Sequence, residues 1–276
     1  MVLLITGCRS GFGLLTAVTA ARAGHTVYAG LRDPNTADAL REATRGLPVK
    51  PIALDVVSPE QRQAAVAQIL QDEGRLDGLV NNAGIALGGY LEQLDEDELR
   101  RVLEVNLISV WALTRLVLPT MRAQGRGHII NVSSISGLLA LPGLGAYAAS
   151  KFALEGLSES LRHEVAPFGV RVCLVEPGPY KTDILGRNRT LGRNALDTTS
   201  AYAPYTRRAE ALFDRIAAQG SGDPQDVADA IVALLNDPSP ALRNVLGGSA
   251  RVRAMMKRVL PFGVLEWAIG RATRPE

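Results

Sequence analysis

Cysteine is nearly missing from this chain: Cys8 and Cys173 are the only two in 276 residues. A disulfide framework is therefore excluded, and a reducing, cytoplasmic setting is expected. Histidine is almost as scarce. His25, His128 and His163 stand far apart without ligand spacing, so no metal site is expected. Neither sign of charge dominates, with 30 basic against 28 acidic side chains and a net charge of +2. That balance argues against nucleic acid as a partner, since such binding relies on a basic excess. No uninterrupted apolar run approaches the ~20 residues of a membrane span. The opening run Val2 to Ile5 is too short for a signal peptide and has no basic residues before it. What remains has the size of one large α/β domain.

What is present is alternation. Apolar runs at 2–6, 25–31, 49–54, 76–81, 128–132 and 170–175 read as strands. Helical patterns separate them at 14–23, 37–45, 58–73, 95–121 and 147–166. Ser58-Pro59 supplies a cap followed by proline at the first helical position, and Gly74 follows the end. Strands apolar along their whole length are buried on both faces, as parallel strands with helical crossovers must be. The pattern predicts a Rossmann-like doubly wound parallel sheet with its ligand crevice beyond the carboxyl ends of the strands. From Pro177 the alternation weakens. Residues 178–204 are polar, carry Arg187, Asn188, Arg189, Arg193 and Asn194, and read as a long loop before helices at 207–219 and 224–236. Loops of that length are more often functional than idle. A catalytic domain over 1–249, with a substrate loop or lid at about 178–222, and a tail over 250–276 are expected.

Thr6-Gly7-Cys8-Arg9-Ser10-Gly11-Phe12-Gly13 joins the first strand to the first helix. In that context Gly7 allows a tight turn, Gly11 lets backbone approach a pyrophosphate, and Gly13 lets the helix pack close to the sheet. The helix N-terminus then offers free N–H groups to phosphate oxygens. At the end of the second strand Leu31 stands where an acidic residue would accept bonds from a ribose 2′-hydroxyl, and Arg32 follows. A guanidinium suits a 2′-phosphate, and Arg9 is a second candidate for it, so NADP(H) is favoured over NAD. Asp33 would restore an acid if the register were off by two. Asp55, after the third strand, fits an adenine contact or a turn, with Val56 beside it.

Tyr147 and Lys151 stand at i, i+4 and share a helical face. A phenol is a poor base at neutral pH, and a nearby ammonium would stabilise its phenolate. Ser133 and Ser134 end the fifth strand beside this helix, where a hydroxyl can bond a carbonyl or alkoxide oxygen.

These residues resemble the short-chain dehydrogenase/reductase family, of the single-domain type, over residues 1–240. The likeness rests on the glycine turn, Asn81-Asn82-Ala83-Gly84, Asn106, Tyr147-x-x-x-Lys151, and Pro177-Gly178 with Thr182. Ser134 lies thirteen residues before Tyr147, the spacing usual in the family, which selects it over Ser133. The resemblance implies that Tyr147 is the acid or base and that Lys151 binds the nicotinamide ribose and lowers the phenol pKa. Ser134 would orient the substrate oxygen, and Asn106 would hold a water in a proton relay. Gly7, Arg9, Ser10, Gly11, Phe12, Gly13, Arg32, Asp55, Val56, Asn82, Ala83, Gly84, Pro177, Gly178 and Thr182 would hold the dinucleotide. The segment from Val27 to Asp33 looks most like the retinol and 17β-hydroxysteroid dehydrogenase branch. An NADP(H)-dependent oxidoreductase interconverting a ketone and a secondary alcohol on an apolar small molecule is implied, as a homodimer or homotetramer. A non-catalytic dinucleotide sensor would not need the serine, tyrosine and lysine together. A nucleotide-sugar epimerase or dehydratase would want a longer substrate domain. The family often closes with a strand and Asp-Gly-Gly; here Leu246-Gly247-Gly248-Ser249 leaves that last strand open.

The tail carries apolar residues at helical spacing with six basic side chains against two acidic ones, and Pro261 and Gly263 divide it. Two short amphipathic helices are expected. They could lie on a membrane surface or over the substrate pocket, and the pocket is the expected place.

Overall fold

A computed structural model describes residues 1–180, 189–218 and 222–273 of the chain. Seven parallel strands form the central sheet: β1 (Val2–Thr6), β2 (Thr26–Leu31), β3 (Val49–Ala53), β4 (Gly78–Asn81), β6 (Gly127–Val132), β7 (Val170–Pro177) and β9 (Arg243–Leu246). Their order across the sheet is β3-β2-β1-β4-β6-β7-β9. Chain direction across the sheet reverses between β1 and β4, which opens a crevice at their carboxyl ends. The outer edge is β9, the strand the sequence left open: Leu174↔Arg243 to Pro177↔Leu246 is a parallel ladder.

The six expected strands are where the apolar runs placed them. Every side chain of β1 and β4 is buried, as a sheet covered on both faces requires. One face packs on α1 (Gly11–Arg22) and α8 (Pro224–Asn236), the other on α3 (Pro59–Glu73), α5 (Ser109–Ala123) and α6 (Gly145–Val165), while α4 (Glu96–Leu103) sets Val102 against Leu87 and Ala146 of α6. A short α2 (Asp38–Ala43) follows β2. The Ser58 hydroxyl accepts the Gln61 N–H at the start of α3, and Gly74 closes it at φ 65°. Inside the sheet, Asn81 donates to Asn131 at 2.8 Å, and Asn131 to Ser158 of α6 at 2.9 Å. This buried polar chain fixes α6 against β4 and β6, and α6 carries the expected catalytic pair.

Two departures shape the site. The helix expected over 95–121 is broken by a π turn at Glu104–Ile108, with Asn106 in its centre. Such one-turn insertions cluster at functional sites. By length and composition alone, Glu96–Ala123 is apolar enough to cross a bilayer. Val102, Val110, Leu113, Val117 and Met121 are instead buried in the core, so it is a sheet-covering helix here. The polar stretch expected to be a loop is partly ordered by distant partners. β8 (Arg189–Leu191) pairs in parallel with β5 (Ala86–Gly88), and α7 (Ala203–Ala218) follows. Arg189 bridges to Glu210 at 2.5 Å and Arg193 to Asp95 at 2.8 Å, so the arginines pin this segment to α7 and to the start of α4. The tail forms the two expected helices, α9 (Gly248–Val259) and α10 (Phe262–Thr273).

Candidate active site

The glycine turn is locked to the end of β4 through side chains. Thr6 Oγ1 accepts the N–H groups of Asn82 at 3.0 Å and Ala83 at 2.9 Å, and Asn82 Nδ2 donates to the Thr6 carbonyl at 2.9 Å. Gly7 takes φ 72°, a conformation that favours glycine. A Cβ on Gly13 would collide with the Gly7 carbonyl and Asn82 Nδ2, so only glycine lets α1 start this close to the strands. Gly11 has φ 59° and open space where its Cβ would point. This is a preformed concavity at a helix N-terminus, suited to a phosphate group. Ser10 and Phe12 line it, with the Phe12 ring edge-on to Tyr180 at 5.7 Å.

Leu31 is the last residue of β2 and is buried, whereas Arg32 is exposed at the crevice. Asp33 also lines the cavity beside Arg32, with its carboxylate accepting the Asn35 N–H at 2.9 Å to cap a 3-10 turn. Arg9 and Arg32 make no ion pair among the described residues, and both line the same cavity. Asp55 accepts the Val57 N–H at 3.1 Å while still facing the cavity, so it combines the two roles open in the sequence. Val56 lines the cavity beside it, and its carbonyl is taken by Arg62.

Ser134, Tyr147 and Lys151 meet at the carboxyl end of β6. Ser134 is half-buried; its hydroxyl accepts the Ser136 N–H at 3.1 Å, and it sits close enough to the Tyr147 phenol to lower its pKa. Ser133 is buried; a Cβ on Gly137 would lie 2.9 Å from its hydroxyl, with Glu155 atoms just beyond. The spacing argument for Ser134 agrees with this placement.

Lys151 Nζ lies 5.8 Å from the centre of the Tyr147 ring and donates to the Val132 carbonyl at 2.8 Å. β4 pairs with β6 only as far as Asn81↔Asn131, so Val132 runs past its neighbour and takes a donor from α6 instead. Burial pushes the Tyr147 phenol up to about 12, with Ser134 opposing. Burial also brings the Lys151 ammonium down to about 8, opposed by Glu155. Here the Lys151 ammonium turns to a carbonyl rather than to the phenol, and burial draws both groups toward their neutral forms.

Asn106 is fully buried and its side chain is spent on structure. Oδ1 accepts the Ile85 N–H at 2.9 Å, and Nδ2 donates to the Ile85 carbonyl at 2.9 Å and Ser150 Oγ at 3.0 Å. These bonds clamp the segment that follows Gly84. A Cβ on Gly84 would meet Asn106 Oδ1 at 3.3 Å and Lys151 Nζ at 3.8 Å, so this glycine joins the clamp to the lysine. Gly178, after Pro177, donates to the Leu246 carbonyl at 2.9 Å. Thr182 lies outside the described residues. One cavity of about 1690 Å³ connects the described positions from the glycine turn to Tyr147, with Gly13 and Asn106 lying behind its wall. It continues into an apolar chamber walled by Leu141, Leu144, Leu212, Phe213, Leu265 and Ile269, so the inner face of the tail does line it.

Sequence reasoning missed the acidic group behind Lys151. Glu176 in β7 is wholly buried and both its oxygens lack a hydrogen-bond partner; Arg243 Nε is 3.7 Å away. Burial, with Glu155 beside it, pushes Glu176 up to about 8. Glu155 stood in plain view four residues after Lys151, but nothing local pairs it with a strand residue. Among the described residues no cluster of metal-ligating side chains occurs.

The comparisons with known proteins agree with this geometry. The family model described as short chain dehydrogenase matches residues 1–191. Human (Homo sapiens) 17-beta-hydroxysteroid dehydrogenase type 1 is 40% identical over 88% of this chain and 76% of that protein. The 3-ketodihydrosphingosine reductase of Bacteroides thetaiotaomicron is 36% identical over 97% of this chain and 96% of its own length. A crystal structure of a short-chain dehydrogenase from Streptomyces avermitilis superposes with a TM-score of 0.83 at 36% identity, covering 99% and 98% of the two chains. Solved relatives hold either dinucleotide. A metagenomic short-chain oxidoreductase is complexed with NADP (29% identity, TM-score 0.70, 89% and 96% covered). An enzyme of Burkholderia phymatum is complexed with NAD (27%, 0.79, 100% and 96%). A glycine turn feeding one crevice, and a serine, tyrosine and lysine at its far end, define a dinucleotide-dependent oxidoreductase. The chain belongs to the short-chain dehydrogenase/reductase family.

Proposed function

We propose that this enzyme uses NADP(H) to interconvert a ketone and a secondary alcohol on a bulky apolar substrate. The observation that carries the reading is the single cavity with unlike ends. Two cationic side chains, Arg9 and Arg32, without an ion pair among the described residues, line the end proposed for the adenosine, and an apolar chamber opens beyond Tyr147. Both similar enzymes named above act, by their names, on lipid-like hydroxysteroid or ketosphingoid compounds, which suits such a chamber.

The residues present fit a dinucleotide. Gly7, Ser10, Gly11, Phe12 and Gly13 would hold the pyrophosphate, Arg9 and Arg32 a 2′-phosphate, and Asp55 with Val56 the adenine. Asn82, Ala83, Gly84, Lys151, Pro177 and Gly178 would border the nicotinamide half. When bound, the cofactor supplies or accepts a hydride at the substrate carbon. The chain's own work is with the proton and the oxygen. The Tyr147 phenol, neutral because it is buried, gives its proton to the nascent alkoxide in reduction and must recover one in oxidation. Ser134 orients the oxygen. Lys151 fixes the Tyr147 end of α6 to the sheet through the Val132 carbonyl. Asn106 holds the segment after Gly84 so that the cavity floor stays open.

The exposed Ile108, Trp111 and Phe152 on α5, α6 and the π turn support a homo-oligomer built through that face. Buried free thiols at Cys8 and Cys173 are compatible with a cytoplasmic enzyme. The test is purified enzyme with NADPH or NADH and a panel of steroid, long-chain and aryl ketones, followed by cofactor absorbance. Faster turnover with NADH, or turnover only of small polar carbonyls, would overturn the reading.

A further inference from the structure

The helix α9 is amphipathic the wrong way round for a soluble protein. Val252, Met255 and Val259 stand at i, i+3 and i+7 and form one outward stripe, 53% to 68% exposed, while Met256, at 37%, borders the cavity. The helix instead turns Ala250 to the protein, fully buried against Gly178. On α10 the inner face is used by Leu265 and Ile269 in the cavity wall, while Val264 and Trp267 point outward at 47% and 66% exposed. Phe262, in the first turn of α10, is 66% exposed. Contiguous exposed apolar surface of this kind marks an interaction site.

The charges around the patch select what covers it. From Gly248 to Thr273 there are five basic side chains, Arg251, Arg253, Lys257, Arg258 and Arg271, against Glu266 alone. A second copy meeting this patch across a two-fold axis would place like charges against like. An anionic surface neutralises them. We infer that α9 and α10 dock the enzyme on the surface of an anionic phospholipid bilayer, with the outward apolar stripe in the headgroup region. Such a helix face combines apolar insertion with charge attraction, the two contributions that surface binding needs. Because the inner face of the same hairpin lines the apolar chamber, docking brings the chamber wall to the lipid. The docking itself does not rest on the proposed cofactor or substrate.

The test is sedimentation of the full-length enzyme with phosphatidylcholine vesicles, with and without phosphatidylglycerol. Binding is expected only to the anionic vesicles and should weaken with salt. Arg258→Gln with Arg271→Gln should reduce it roughly 30-fold, since each basic residue near such a surface contributes about a factor of five. Met255→Glu with Val259→Glu should abolish it. All four side chains are exposed and outside the cofactor crevice, so thermal unfolding should be unchanged. Failure to bind anionic vesicles, or binding that both double variants leave intact, overturns the proposal. So does a dimer that Met255→Glu with Val259→Glu dissolves, which would assign the patch to a second copy.

Discussion

Replacing Lys151 by methionine should separate stability from activity. Lys151 is 3% exposed, and burial brings its ammonium from 10.5 to about 8. Holding the charged form in that site at neutral pH therefore costs the fold about 3 kcal/mol. Methionine fills the same slot without a charge. It also removes the 2.8 Å bond to the Val132 carbonyl, and a bond from a charged donor contributes about 1.5–3 kcal/mol. The two nearly offset at pH 7, where the variant should be as stable as wild type or more so by up to about 2 kcal/mol. The sign with pH is the sharper test. The folded protein releases this proton near pH 8 and the unfolded chain near 10.5, so between those values the unfolded state binds more protons and wild-type stability rises with pH. The variant has no such gain. Its advantage over wild type should therefore shrink by about 3 kcal/mol between pH 7 and pH 10.5. Urea unfolding across that range, followed by circular dichroism, measures the difference directly, while turnover should be lost at every pH. Two unfolding series that stay parallel would show that burial does not perturb Lys151, and the electrostatic account of the site would fail.

Other outcomes follow from the same geometry. Ser134→Ala should lower kcat far more than Ser133→Ala, because Ser134 is the serine that acts on the phenol; steady-state kinetics with the best ketone decides, and the reverse order would reassign the oxygen contact. Leu31→Asp with Arg32→Ala should move cofactor preference toward NADH. A lost charge-assisted phosphate bond costs about 1.5–3 kcal/mol, or roughly 10- to 150-fold in affinity, so an unchanged NADPH/NADH ratio would remove Arg32 from the 2′-phosphate site.

How far the sequence could be read depended on whether its cause was local. The inner strands were legible because burial on both faces makes them apolar runs, and β3, an edge strand buried only at Ile52, because it falls in step with the alternation; the glycine turn was legible because its roles are set by neighbours in the chain. Tyr147 and Lys151 were legible because a helix turns i and i+4 to one side. β5 and β8 were not, since each is three residues long and is made a strand by a partner about 100 residues away. β9 is an edge strand of four residues with Arg243 and Asn244 at its start, so it lacks the apolar run of the inner strands. The clamp that Asn106 makes was not legible for the same reason: its partner, the Ile85 backbone, comes from another element. The tail's periodicity announced two amphipathic helices, yet which face would turn inward depended on Gly178 and the chamber, neither of which a helical wheel contains.

The central claim is that Tyr147 transfers the proton in a dinucleotide-dependent carbonyl reduction. Tyr147→Phe removes one oxygen from a 4% exposed ring and leaves the packing of α6 in place. NADPH binding by the variant should stay close to wild type, while turnover of the best ketone should fall by about 10²- to 10⁴-fold, the usual contribution of a positioned acid. Turnover within about tenfold of wild type, with NADPH still bound, would contradict the account.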